Sequence, residues 1–150
     1  MNFLLKPCED DTLAYAQKCM ERGQAEGAIP ANRGPLTGHE TALVARRATQ
    51  DGFLRLGVSV FYEPEPGLLW LDMLFVEPEF RRQNVGWQLL LETRAHAVSQ
   101  QFREMSFGTL LTNMPMRSLV RREPGFFMSS EVHDGQALVF SERLARRATR

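Results

Sequence analysis

Chemistry concentrates in residues 74–90, which read L-F-V-E-P-E-F-R-R-Q-N-V-G-W-Q-L-L. Leu74, Phe75 and Val76 end an apolar strand, and Glu77-Pro78 turns the chain. Arg81, Arg82, Gln83 and Asn84 form a polar, basic loop. Val85, Gly86 and Trp87 then open a helix. The first amides of a helix have no acceptor within it, and the helix dipole favours negative charge at that end. Gly86 has no side chain to hold an anion away from the backbone. Arg81 and Arg82 add charge-assisted donors. A strand end, a basic loop and a helix start in this order suit a pyrophosphate. An ordinary β-to-α connection with surface arginines accounts for the loop but not for the clustering. The rings of Trp70 and Trp87 read as packing.

Asp72 is the single acid in the otherwise apolar run Leu68–Val76. Strict alternation puts it on one strand face with Trp70, Leu74 and Val76. A lone carboxylate there, subject to desolvation, has two readings. It is a general base beside the reacting group, or it pairs with a strand neighbour such as Arg46 or Arg55.

The run 74–90 resembles the acetyl-CoA-binding motif of the GNAT family of N-acetyltransferases. That family ends a strand with V-x-P and enters its long helix through R-x-x-G-x-G or R-x-x-G-x-A. Val76-Glu77-Pro78 matches the strand end, Arg81 starts the loop and Gly86 matches its last small residue. Asn84 stands where the first glycine is usual, and Asn tolerates the left-handed backbone better than most residues. Downstream, Asn113 matches an Asn that starts a short helix, and Gly125-Phe126 matches a Gly-Phe pair after it, at a slightly longer interval.

The resemblance implies acetyl-coenzyme A as co-substrate. The activity implied is N-acetyltransfer to a primary amine of a small molecule, peptide or protein. It also implies that strand amides near residues 74–76 hold the pantetheine arm and polarise the thioester carbonyl. Asp72 falls where many members carry an acid. The family tyrosine that protonates the leaving thiolate has no counterpart. The only tyrosines are Tyr15 and Tyr62, and Val120 or Arg121 occupies that place. Together with Asn84, this keeps open a GNAT-fold acyl-CoA-binding or structural protein without turnover. Members are often homodimers, but no residue here specifies such an interface. Arg117, Arg121 and Arg122 read as a 3′-phosphate contact or a solvated face. Glu26, Glu40, Glu63 and Glu65 read as attraction for a cationic acceptor or plain solvation.

The elements that must position these residues follow from periodicity and turn signals. Residues 3–5 make a first strand stopped by Pro7. Asp11-Thr12 caps a helix to about Arg22, with Leu13, Ala16 and Met20 on one face. Residues 23–38, with four glycines and Pro30 and Pro35, are loop with a broken helix at most. Residues 42–48 form a strand. In residues 53–62, Leu54, Leu56, Val58, Val60 and Tyr62 alternate against Arg55, Gly57 and Ser59. A turn at residues 63–67 leads to Leu68–Val76, a central strand covered on both faces. A long helix runs from Asn84 to about Phe102 with a stripe of Leu91, Ala95, Val98 and Phe102. A strand at 105–111 and a short helix at 116–122 follow. A final hairpin turns at Asp134-Gly135. The expected fold class is α/β (α+β), the GNAT fold. It has a central mixed, mostly antiparallel sheet of about six to seven strands, flanked by about four helices, in one domain over residues 1–150.

Composition narrows the classes. Lys plus Arg and Asp plus Glu each number 18, so no global field draws nucleic acid or an anionic membrane. The tail arginines Arg143, Arg146, Arg147 and Arg150 have no interleaved aromatics, and no nucleic-acid partner is expected. Cys8 and Cys19 form no disulfide framework, which fits reduced thiols and a cytoplasmic protein. His39, His96 and His133 lie too far apart for a metal motif. No signal peptide or membrane span is expected. The acceptor is not legible, because it depends on the loops at 23–38 and 63–67.

Overall fold

The structure, a computed structural model, describes residues 1–132 and 137–144. Strand β1 (Asn2–Pro7) leads into helix α1 (Asp10–Ala25), then β2 (Thr41–Thr49), β3 (Gly52–Glu65) and β4 (Leu68–Val76). Helix α2 (Val85–Ser99), β5 (Glu104–Leu110), α3 (Met114–Arg121), β6 (Phe127–Val132) and β7 (Ala137–Arg143) complete the chain. The strands form one sheet of seven in the order β1-β2-β3-β4-β5-β7-β6. Every neighbouring pair is antiparallel except β4–β5. This is the expected mixed, mostly antiparallel sheet. Among the described residues no helix is long and apolar enough to cross a membrane.

Among the described residues three α-helices flank the sheet rather than about four. The stretch after α1 adds none, because Pro30 and Pro35 lack amide donors and Gly27 is left-handed at φ 77°. Helix α1 runs past Arg22, through Gly23, to Ala25. A Cβ at Gly23 would lie 2.5 Å from Ile29 Cδ1, so glycine lets the following loop pack against the helix. The helix starts at Asp10 with no side-chain cap, and Asp10 and Asp11 face its positive end instead of an Asp11-Thr12 cap. Helix α2 stops at Ser99, short of Phe102, because Gln101 turns left-handed at φ 64°. The hairpin turn at Asp134-Gly135 lies outside the described residues, although β6 and β7 pair as expected.

Two cores sandwich the sheet. Tyr15, Ala16, Cys19 and Met20 of α1 pack on Val44, Val58, Val60, Met73 and Phe75. On the other face, Val85, Leu89, Leu90 and Ala97 of α2, with Met116 and Val120 of α3, pack on Leu56, Phe61, Leu69, Leu71 and Phe107. The buried side of α2 is therefore Val85, Leu89, Leu90, Thr93 and Ala97, not the stripe through Ala95, which is exposed. The start of α2 is apolar on several sides, so spacing alone does not choose the face.

Two bulges override strict alternation. The β2–β3 register shifts between Ala45 and Arg46, and Leu56 packs on the α2 side while Val58 and Val60 pack on the α1 side. Leu54 and Tyr62 are exposed. The β3–β4 register shifts between Val60 and Phe61, pairing Val60 with Met73 and Phe61 with Leu71, so Asp72 is the extra residue. Leu69 and Leu71 lie in the α2-side core and Met73 and Phe75 in the α1-side core. Leu74 and Val76 pack against the α2-side core. Alternation thus breaks at Asp72: the residues facing the α2 side are Leu69 and Leu71 before it and Leu74 and Val76 after it.

Candidate active site

The bulge sits where the sheet opens. Strands β4 and β5 pair only through residues 68–71 and 104–107. Beyond that point β4 stays paired with β3 up to Val76, and β5 stays paired with β7 up to Leu110. Among the described residues no strand bridges the gap between them. The β5-facing edge of residues 73–76 therefore presents backbone polar groups that a ligand can pair with, as a missing strand would.

The gap leads to the start of α2. A 3-10 turn at Pro78–Phe80 follows β4, and Arg82 and Asn84 are left-handed at φ 65° and 64°. Asn84 adopts the backbone that a glycine would otherwise provide. No side chain caps α2. The first intrahelical bond runs from Gln88 N to Asn84 O at 3.0 Å, which leaves the amides of Val85, Gly86 and Trp87 without helical acceptors. Gly86 lies within α2, and what it supplies is room. A Cβ there would stand 3.4 Å from both Leu119 Cδ1 and Val76 Cγ2 and 3.6 Å from Leu74 Cδ2. Any longer side chain would project between β4 and α3.

The loop side chains divide by task. Arg81 Nε donates to Val76 O at 3.0 Å, and its Nη2 pairs with Glu26 at 2.8 Å, so it ties the loop to the end of α1. Gln83 Nε2 donates to Glu79 O at 3.4 Å, within the loop. Val85 is buried and anchors the helix start. Arg82 is exposed and has no partner among the described residues. Arg122, at the end of α3, reaches the same place: its Nη1 donates to Asn84 Oδ1 at 3.2 Å, and its guanidinium lies 4.2 Å from the Trp87 ring centroid. Trp87 is fixed from below, its Nε1 donating to Glu123 Oε1 at 2.7 Å. Burial works against the charge of Glu123, but the Trp87 and Arg94 hydrogen bonds outweigh it and hold its pKa below the usual range.

On the other side of the gap, Asp72 pairs with Arg33 of the loop after α1, not with Arg46 or Arg55. The Asp72 side chain is 9% exposed and that of Arg33 29%, so the pair is largely shielded. Tyr62 borders it, and burial, then the Asp72 charge, raises the phenol's pKa. Asn113 joins this loop to β5: its Oδ1 caps α3 at Met116 N, 3.2 Å, and its Nδ2 donates to Ala28 O, 3.3 Å. Glu40 is neither a solvated acid nor a lure for cations. It is 6% exposed and accepts from Thr37 N, Thr37 Oγ1 and Gly38 N at 2.9–3.0 Å, which staples the loop shut. Glu26 is likewise engaged, by Arg81.

The model of the Acetyltransferase (GNAT) family matches residues 16–126. The chain belongs to the GNAT family. Similar solved folds include a Klebsiella pneumoniae protein provisionally assigned as an acyl-CoA N-acyltransferase, with 18% identity, 96% of this chain and 97% of that chain covered, and a TM-score of 0.74. A domain from Methanocaldococcus jannaschii gives 9% identity, coverages of 95% and 99%, and a TM-score of 0.75. The Neisseria gonorrhoeae N-acetylglutamate synthase, complexed with coenzyme A and N-acetyl-glutamate, gives 13% identity, covers 97% of this chain and 36% of that longer chain, and has a TM-score of 0.70. No curated sequence matches the chain significantly.

Leu74 and Val76, both within the stretch that matches the GNAT pattern, border Gly86. Phe75 does not: its ring is 4% exposed in the α1-side core, so only its backbone can take part. Neither tyrosine substitutes for the missing family acid on α3. Tyr15 is buried against Glu77 on α1, its hydroxyl donating to Oε1 at 3.0 Å, and Tyr62 borders Asp72 from β3. Sequence reasoning missed Arg33, which sits in an irregular loop with no spacing signal. It left Arg122 among three arginines that spacing could not rank.

Proposed function

We propose that this GNAT protein is an acetyl-CoA-dependent N-acetyltransferase that acetylates a primary amine of a small molecule or peptide. The observation that carries the reading is the β4–β5 gap together with the uncapped start of α2 that follows β4 in the chain. The first can pair with an amide-bearing arm and the second with a pyrophosphate. An amide-bearing arm and a pyrophosphate are both parts of coenzyme A, which the N-acetylglutamate synthase structure contains. When bound, the thioester supplies an acyl group activated for attack by an amine.

The residues divide the remaining work. The amides of Val85, Gly86 and Trp87, with Arg82 and Arg122, hold the pyrophosphate. Leu74, Val76 and Leu119 wall the passage, and backbone groups of residues 73–76 orient the arm and polarise the thioester carbonyl. An alkylammonium of pKa about 10.4 is only ~0.04% neutral at pH 7, so a proton acceptor at the acceptor side speeds attack. Asp72 fills that role. The incoming ammonium takes the place of Arg33 at the carboxylate and gives up a proton there. With no tyrosine on α3, the leaving thiolate collects its proton from solvent.

The test is thiol release from acetyl-CoA across a panel of amines, read with a disulfide reagent. Background from the protein is small, because Cys8 and Cys19 are buried and burial pushes both thiols up to about 11. Amine-dependent release supports turnover. The Arg33–Asp72 pair and the missing tyrosine favour a second reading, a binding protein without turnover. Stabilisation by coenzyme A with no release under any amine would establish that reading instead.

A further inference from the structure

A second cavity, of about 610 Å³, lies on the α1 face among α1, β1–β3 and the turn after β4. Its lining includes neither Asp72 nor Gly86. Its volume suits a small-molecule ligand. What distinguishes it is charge. Arg46 of β2 and Arg55 of β3 stand directly opposite each other in the antiparallel register, and both line the cavity. Like charges in that relation repel. Neither has a carboxylate partner among the described residues. Arg46 donates to Asn2 Oδ1 at 3.0 Å and lies 3.9 Å from the Phe53 ring centroid. Arg55 lies 4.7 Å from the ring of Tyr15.

The rest of the wall does not cancel this charge. Lys18 and Arg22 add two cations, against the carboxylates of Glu77 and Glu79. Glu77 is already committed to Arg22 at 2.6 Å and to the Tyr15 hydroxyl at 3.0 Å. Burial keeps the Tyr15 phenol and the Cys19 thiol protonated at neutral pH, so neither contributes an anion. Apolar residues also line it: Phe53 is 54% exposed and Leu54 42%, and Phe80 and Leu4 belong to the same wall.

We propose that this cavity binds a phosphate monoester carried on a flat apolar body, with the phosphate bridging Arg46 and Arg55 beside Lys18. A dianion with three acceptor oxygens satisfies two guanidiniums and an ammonium together. It also removes the cross-strand repulsion that the empty pair carries, and the apolar body covers Phe53 and Leu54. The proposal is independent of the acetyltransfer reading.

The test is calorimetry with phenyl phosphate on the full chain at low salt, beside phenol and inorganic phosphate. The expected result is one site for phenyl phosphate, weaker binding of inorganic phosphate and none of phenol. Arg46→Gln and Arg55→Gln should each weaken phenyl phosphate tenfold or more, while Gly86→Glu, which blocks the α2 cradle, should leave it unchanged. Protein-observed NMR on the parent chain gives a reading that needs no variant: the amides of Arg46, Phe53 and Arg55 should shift, and those of Val85, Gly86 and Trp87 should not. No binding at millimolar phenyl phosphate, equal affinity in both arginine variants, loss in Gly86→Glu, or shifts confined to the start of α2 would each overturn it.

Discussion

The guanidinium of Arg33 closes on the carboxylate of Asp72 at the residue where β4 bulges and parts from β5. The loop after α1 is thereby pinned to the sheet at the residue to which the proposed reaction assigns proton acceptance. An acceptor ammonium carries the same single positive charge as the guanidinium it would displace, but unlike the guanidinium it can give up a proton.

Asp72→Asn keeps the shape and removes the proton acceptor. Turnover should fall by ~10²–10⁴, with acetyl-CoA affinity nearly unchanged. Steady-state rates across pH, normalised to folded protein, should be lower in the variant throughout. An unchanged rate and profile would take Asp72 out of the mechanism and leave water or the substrate itself as proton acceptor.

The proposed function places cofactor affinity at the start of α2. Acetyl-CoA at about 100 times its Kd should stabilise the fold by roughly 2.7 kcal/mol. Gly86→Glu should abolish that thermal shift, because the new side chain enters the space bounded by Val76, Leu74 and Leu119. Arg82→Ala should cost about 1.5–3 kcal/mol of binding if its charged hydrogen bond forms. Arg81→Ala should cost less, since Arg81 is spent on Val76 O and Glu26. Calorimetric titration separates the three, and equal binding by all would move the phosphate site elsewhere.

The order of elements, the mixed sheet and the helix-opening loop were legible because each has a local cause: apolar runs, Pro and Gly punctuation, and a basic loop before a periodic segment. Asn84 was legible too, as a residue able to stand left-handed. The face of Asp72 was not, because a bulge adds one residue and reverses alternation without any mark in composition. Leu56 was misplaced for the same reason at the β2–β3 bulge. Arg33 was invisible because a loop residue's partner is set by tertiary folding and not by spacing. Arg81 was legible as a loop cation but not as a partner of Glu26, 55 residues away in the chain.

Beneath the site, Ser59 of β3 and Thr93 of α2 share a buried hydrogen bond of 2.8 Å, and Thr93 Oγ1 also donates to Leu89 O at 2.7 Å. Both residues are fully buried. Thr93→Val should destabilise the fold by about 1–3 kcal/mol, because it strands the Ser59 hydroxyl. Adding Ser59→Ala should recover part of that loss. Denaturant midpoints for the two singles and the double measure the coupling, and strict additivity would show that the hydroxyls do not depend on each other.

Acid should loosen the floor of the cofactor site before it unfolds the sheet. Glu123 accepts from Trp87 Nε1 and pairs with Arg94 Nη2 at 2.8 Å, and its folded pKa lies below the usual carboxylate value. A depressed folded pKa means that the unfolded chain binds the proton first. The stabilisation is therefore present above the unfolded pKa and is lost as pH falls through the folded one. Glu40 follows the same sign: burial opposes its charge, but the Thr37 and Gly38 donors outweigh it and lower its pKa. The two act at separate places, and in a Trp70→Phe parent the fluorescence comes from Trp87, which donates to Glu123 and carries Arg122 on its ring. In the parent, Trp87 fluorescence should change as pH drops below the ordinary carboxylate range, together with a loss of acetyl-CoA affinity as the helix start loosens. In Glu123→Gln the affinity should be lower already at neutral pH and the Trp87 transition should vanish, while the acid dependence due to Glu40 persists in the melting temperature. A Trp87 transition that survives unchanged in Glu123→Gln would assign the acid sensitivity to another group.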